Sequence, residues 1–310
     1  MRKIGEAGLM GSALLVVAFA LIFEGGGCSS EVVSPPGIFP PDSNGPRSEY
    51  DNVAWSPTGE YMAYYYGLNP HATLDTSGIY LYDLSDSTAT RLIPANLHYP
   101  APVTPAFSPD GRWLAFSWYQ QIWKCLLTGD SLVQLTATEW NFCPAWSPNG
   151  RRIAYHSRRE DQHGVHIMNS DGSGDTWVAG GYHPQWLDEN RIVASGRVAD
   201  GRLGIFLIDL SSRGISLLLE QPDGWIECCF LAADRAGERL LFNAVVESTW
   251  WSNIWRFDIA TSQLTQLTTS GGDEPAWSPD GGEIAYTNTR VGRIWIMNAD
   301  GSDKRPLFEE

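Results

Sequence analysis

Pro275-Ala276-Trp277-Ser278-Pro279-Asp280-Gly281-Gly282-Glu283-Ile284-Ala285-Tyr286 decides the fold, because the chain repeats it with small changes. Pro144 to Tyr155 and Pro105 to Phe116 follow the same order, and Val53-Ala54-Trp55-Ser56-Pro57-Thr58-Gly59 opens a fourth copy. Two copies are worn. Pro184-Gln185-Trp186 lacks the Ser-Pro step, and Cys228-Cys229-Phe230 reads with a longer turn before Leu240-Leu241-Phe242. The aromatic anchors then fall at Trp55, Phe107, Trp146, Trp186, Phe230 and Trp277. Their spacing of roughly 40–50 residues lies in the range of propeller blades.

Each copy has a readable physics. A short apolar strand runs into Ser-Pro-Asp-Gly, where Pro presets the turn, Asp caps it and Gly takes the positive φ. A second apolar strand follows. A third recurs in every unit, as in Ile254-Trp255-Arg256-Phe257-Asp258 and Ile294-Trp295-Ile296-Met297-Asn298. A polar turn and a short outer strand such as Leu264-Thr265-Gln266-Leu267-Thr268 complete it. Four antiparallel strands in each of six units predict an all-β, six-bladed β-propeller over 50–310. Ring closure stays open: blade-to-blade apolar packing and a strand near Glu49 are both consistent with the pattern.

Ahead of the repeats, Arg2 and Lys3 precede an apolar stretch from Leu9 to Phe23 that ends in Gly25-Gly26-Gly27-Cys28-Ser29. This order resembles an export signal of the lipoprotein type, which implies cleavage of residues 1–27 and a lipid on Cys28; cleavage without lipid and an uncleaved anchor are the alternatives. Residues 28–49, with Pro35-Pro36 and Pro40-Pro41, read as an extended tether. The expected location is the cell envelope, at the outer membrane and periplasm in a cell with two membranes. The membrane is met only through the lipid on Cys28. A formal charge of −15, from 36 acidic against 21 basic residues, excludes nucleic acid as a partner. Dispersed as it is, that charge also fits a self-repelling monomer.

The Ala-Trp-Ser-Pro-Asp/Asn-Gly signature, followed by Ile-Trp-Ile-Met-Asn-Ala-Asp-Gly-Ser, resembles the propeller repeat of TolB across Tyr50 to Phe308. Similar units occur in the propellers of prolyl-oligopeptidase-like and tricorn-type peptidases and of oligogalacturonate lyase. Here only the tether precedes the repeats, where TolB carries an α/β domain. The G-x-S-x-G elbow of the peptidases is absent. The resemblance therefore implies a stand-alone propeller without catalytic residues or cofactor, which binds an envelope protein or peptide.

Two sets of residues are candidates for that binding. Loops leading into the first strands, and those between second and third strands, share one face. Trp140, Tyr182, Trp225, Trp250, Trp251, Tyr119 and His71 on these loops make an aromatic docking surface. The first position of each inner strand should ring the channel mouth, giving Asn52, Thr104, Cys143, His183, Glu227 and Glu274. These could instead hold a carbohydrate or other small ligand. A weaker reading takes His183, Glu227 and Glu274 as metal ligands of a lyase or hydrolase, as the resemblance to oligogalacturonate lyase suggests. His156, His163 and His166 fall in one unit; His166 occupies the aromatic slot of a third strand and reads as structural.

Overall fold

The computed structural model describes residues 48–68, 77–95, 103–197, 201–248 and 251–308. These form twenty-four strands in six four-stranded antiparallel sheets, each built from consecutive chain. Blade 1 holds β1 (Ser48–Trp55), β2 (Tyr61–Leu68), β3 (Gly78–Asp83) and β4 (Thr88–Pro94). Blade 2 holds β5 (Val103–Phe107), β6 (Trp113–Trp118), β7 (Gln121–Leu126) and β8 (Val133–Gln134). Blade 3 holds β9 (Asn141–Trp146), β10 (Arg152–Ser157), β11 (Gly164–Asn169) and β12 (Thr176–Ala179). Blade 4 holds β13 (Tyr182–Trp186), β14 (Arg191–Arg197), β15 (Leu203–Asp209) and β16 (Gly214–Glu220). Blade 5 holds β17 (Trp225–Ala233), β18 (Arg239–Val246), β19 (Ser252–Asp258) and β20 (Gln263–Gln266). Blade 6 holds β21 (Asp273–Trp277), β22 (Glu283–Asn288), β23 (Arg293–Asn298) and β24 (Arg305–Pro306). The six-bladed, four-stranded architecture expected from the repeats is the one observed. No helix forms among the described residues.

The turn between first and second strands works as its residues require. In blade 6, Ser278 Oγ donates to Asp280 Oδ1 at 2.6 Å and accepts the Glu283 N–H at 2.8 Å. Gly281 closes the turn at φ +69°, a region where a side chain would be strained. Ser56, Ser108 and Ser147 accept the equivalent N–H groups of Tyr61, Trp113 and Arg152. In blade 5 Asp234 takes the serine's place and accepts from Glu238 and Arg239. The turn expected to be longer there is thus of ordinary length, and β17 is the longer element instead.

Packing between blades uses the anchors. Trp146 Nε1 donates to Ala106 O and Trp186 Nε1 to Ala145 O, each at 3.1 Å and each reaching back to the preceding blade. Arg152 lies over the Trp186 ring and Arg239 over the Trp277 ring, at 4.7 and 4.4 Å from the centroids. Between them, second- and third-strand residues such as Ile153, Tyr155, Phe206 and Phe242 are fully buried.

Closure of the ring is by packing. β1, which includes Glu49, is the innermost strand of its own blade and is not shared with blade 6. Val53, Met62 and Tyr64 bury against Ala285, Ile294 and Ile296 across the seam. Phe308 inserts its ring among Tyr50, Tyr64 and Tyr82, with centroids 5.1, 5.6 and 5.1 Å away. Tyr50 N–H adds one backbone bond to Gly292 O. The propeller begins at Ser48, so Ser48 and Glu49 belong to β1 and not to the tether. The signal, Cys28 and the rest of the tether lie outside the described residues.

Candidate functional site

Every innermost strand slips its register at a β-bulge that turns a residue toward the axis, and β17 carries a second slip between Trp225 and Glu227. The residues at positive φ there are Asn52, Thr104, Cys143, His183, Phe230 and Glu274. Five match the expected channel ring. The sixth is a correction: Phe230 stands in the ring, and Glu227 lies three residues before it. In blade 5 the anchor slot holds Ala233, so counting from the nearest aromatic residue misplaced the ring. Asp234 and Gly237 keep the Ser-x-x-Gly spacing of the intact turns and are the signal that finds the right register.

Around the channel the ring is polar on one side. Glu274 accepts hydrogen bonds from the backbone N–H and the Nδ2 of Asn52 in the next blade, the latter at 2.8 Å. Asn52 Oδ1 accepts the Thr104 N–H at 2.9 Å. Thr104 Oγ1 lies 2.7 Å from Ser117 Oγ, which accepts the Cys143 N–H at 3.1 Å. This belt joins blades 6, 1, 2 and 3. On the other side the imidazole of His183 stacks on Phe230 with centroids 4.5 Å apart.

The ring lines a cavity of about 230 Å³, walled by Pro105, Pro144, Pro184 and Pro275. That volume suits a small molecule or the tip of one side chain; drug-sized ligands need more. Burial pushes His183 down to about 3, so its imidazole is neutral, and its Nδ1 has no hydrogen-bond partner. Burial, and then the charge of Asp51, raises Asp273 and Glu274 above the usual carboxylate range. Glu227 is also raised by burial. The Cys143 thiol is pushed up to about 12 by burial and stays protonated. No hydrogen bond joins His183 to a Ser, Thr or Cys side chain among the described residues. His183, Glu227 and Glu274 are not brought together as a metal set, since no group of three or more His, Cys, Asp or Glu able to hold an ion occurs among the described residues.

The aromatic residues of the loop face separate into packed and open. Trp225 is half-buried against Trp255 and Phe242, at 4.7 and 6.1 Å, and serves the blade 5 core. Tyr182 is half-buried between His156 and His183, 6.0 Å from each. Trp251 is half-buried with Arg290 over its ring at 4.9 Å. Tyr119 and Trp140 are open, at 38% and 46% exposure. Backbone bonds fix the segments that carry them: Asn141 N–H donates to Gln120 O and Arg158 N–H to Trp140 O. Gln121 Nε2 adds a bond to Glu139 O at 2.6 Å. Trp250 and His71 lie outside the described residues. Trp177, 42% exposed on the outer strand β12, was not singled out by the repeat, because that slot carries no aromatic residue in the other blades.

His166 is structural, as its slot implied. Fully buried, it meets Asp175 Oδ1 through Nδ1 at 3.2 Å and Gln162 O through Nε2 at 2.8 Å. Tyr155 and Arg159 converge on the same carboxylate.

No family model matches the chain. Among solved structures it is similar to TolB from Acinetobacter baumannii, with a TM-score of 0.65 and 16% identity over 86% of this chain and 64% of that one. It thus spans less than two thirds of that TolB chain. It is also similar to a tricorn protease, with a TM-score of 0.62 and 14% identity over 84% of this chain and 26% of that one. An oligogalacturonate lyase in complex with manganese gives a TM-score of 0.57 and 12% identity over 84% and 77% of the two chains. At such identities the likeness is one of fold: this chain is a six-bladed propeller structurally similar to that of TolB.

Proposed function

We propose that the chain is a non-catalytic binding module, which docks an envelope protein or peptide on its loop face. The observation that carries this reading is the open pair Tyr119 and Trp140. Each ring leaves more than a third of its residue exposed, Tyr119 packed on Trp118 and Trp140 beside Arg158, on backbone that is fixed by hydrogen bonds. Rigid, amphipathic aromatic side chains of this kind lose little entropy on binding and dominate interface hot spots. A charge of −15 favours a partner with a basic surface. The lipoprotein-type signal and tether would hold such a module at a membrane with its propeller free. The protonated Cys143 and the unactivated His183 support a binding role over a catalytic one.

A crosslinking pull-down from native envelope extract, with wild type against Tyr119→Ala/Trp140→Ala, tests this reading. Loss of one specific protein in the variant is expected. Equal capture by both removes the pair from the docking surface. A second reading, a small ligand in the channel, is favoured by the unpartnered Nδ1 of buried His183. A glycan and metabolite binding screen compared with His183→Phe separates it from the first.

A further inference from the structure

Opposite the residue that precedes each ring position, the second strand of a blade carries a side chain close to the channel. These are Tyr65, Ser117, Ser195, Asn243 and Thr287 in blades 1, 2, 4, 5 and 6. In blade 3 the same position holds His156, paired with Phe142. Its Nε2 lies 3.1 Å from Nε2 of His163, in the loop between β10 and β11. His156 is 4% exposed and His163 is half-buried, so the pair is anchored on one side and open on the other. The rings of Phe142 and Tyr182 flank His156 at 6.4 and 6.0 Å.

Both imidazoles are neutral near pH 7. Burial lowers His156 and His163 below their ordinary range. For His156 the neighbouring His183 and His163, and then the charge of Arg158, add to the effect; for His163 the charge of Arg158 does. The bond between them uses one Nε2–H and one Nε2 lone pair. Moving the donor ring's proton from Nε2 to Nδ1 frees both lone pairs, with no net release of protons.

Two such nitrogens make a chelate. Bonds of about 2.0–2.1 Å from atoms at this separation meet at one ion with an angle of about 100°, between the tetrahedral and square-planar values. Imidazole ligands suit late first-row ions. We propose that His156 and His163 form a two-imidazole site for a divalent late transition-metal ion, Cu(II) or Zn(II), with water completing the coordination from the His163 side. The site uses none of the six ring residues and does not depend on the docking reading. With only two protein ligands, and with Arg158 opposing the ion, it holds metal reversibly.

Copper(II) titration of the purified protein near pH 7, followed by electron paramagnetic resonance, tests the proposal. The expected result is one saturable site with two nitrogen ligands, at which Cu(II) outcompetes Zn(II). His163→Gln and His156→Gln should each weaken binding at least ~10-fold, no less than the loss of an outer-shell partner does. Arg158→Gln should tighten it. His156 is buried and its variant can fail to fold; His163→Gln, in the half-exposed loop, carries the test with a thermal melt as its folding control. No saturable copper binding, or binding undiminished in a folded His163→Gln protein, overturns the proposal.

Discussion

Glu274 of the last blade accepts two hydrogen bonds from Asn52 of the first, one from its backbone N–H and one from its side chain. The two residues are far apart in sequence and meet only in the closed ring. Glu274→Ala leaves both donors unpaired in a buried place. The expected cost is about 1–3 kcal/mol, the penalty for unsatisfied buried donors. Glu274→Gln, which keeps an acceptor oxygen, should lose less. Urea denaturation of the two variants checks the order, and an equal loss in both would detach the effect from hydrogen bonding.

Phe308 is the second closure. Its ring packs on Tyr50, Tyr64 and Tyr82 and bridges the two ends of the propeller. Phe308→Ala should cost about 2–3 kcal/mol, below the full range for a buried Phe because the ring is half-exposed. Limited proteolysis should then cut first in blade 1 or blade 6. Unchanged thermal stability would mean that the aliphatic seam closes the ring unaided.

Trp186 and Trp277 offer a matched pair. Both are buried and both lie under an arginine, but only Trp186 has a partner for its indole N–H. Replacement by Phe removes similar area at both sites. Trp186→Phe should therefore be the worse by about 1 kcal/mol, the net value of one hydrogen bond. Thermal melts of the two variants measure the difference; a larger loss at Trp277 would contradict the assignment.

The repeat was legible because it is local. Ser278 and Gly281 sit three apart and fold their own turn, and the strands on either side alternate apolar residues within a few positions. Blade 5 was legible only in part. Its anchor slot has lost the aromatic ring to Ala233, so Phe230 passes for the anchor when it is a channel residue. The packed roles of Trp225 and Tyr182 could not be read, since a loop aromatic is sorted into core or surface by neighbours from other strands. Closure by Phe308 was invisible for the same reason: nothing near it in sequence names Tyr50 or Tyr64.

Stability should depend on pH in two opposed ways. Asp273 and Glu274 are raised, so from about pH 4 upward the folded protein holds protons that the unfolded chain has lost, and stability falls as pH rises through their folded values. His156 and His183 are lowered, so below about pH 6.5 the unfolded chain takes up protons first and stability falls as pH drops. Asp273→Asn keeps the oxygen that accepts the Glu274 N–H at 3.0 Å and removes the charge. It should raise Tm by about 2–4 °C at pH 8, the shift given by about 1 kcal/mol in a domain of this size, and by less at pH 5. An equal gain at both pH values would rule out ionisation as the cause.

Because each sheet is complete within its own stretch of chain, the ring has no interlocked strand. A growing chain can lay down blade after blade on the ribosome, each resting on the one before. The circle nevertheless stays open until Phe308 has emerged, and until then the face of blade 1 that receives it is bare. The seam between blades 6 and 1 differs from the other five in having no covalent connection, so a chain cut at another seam and rejoined here would describe the same object.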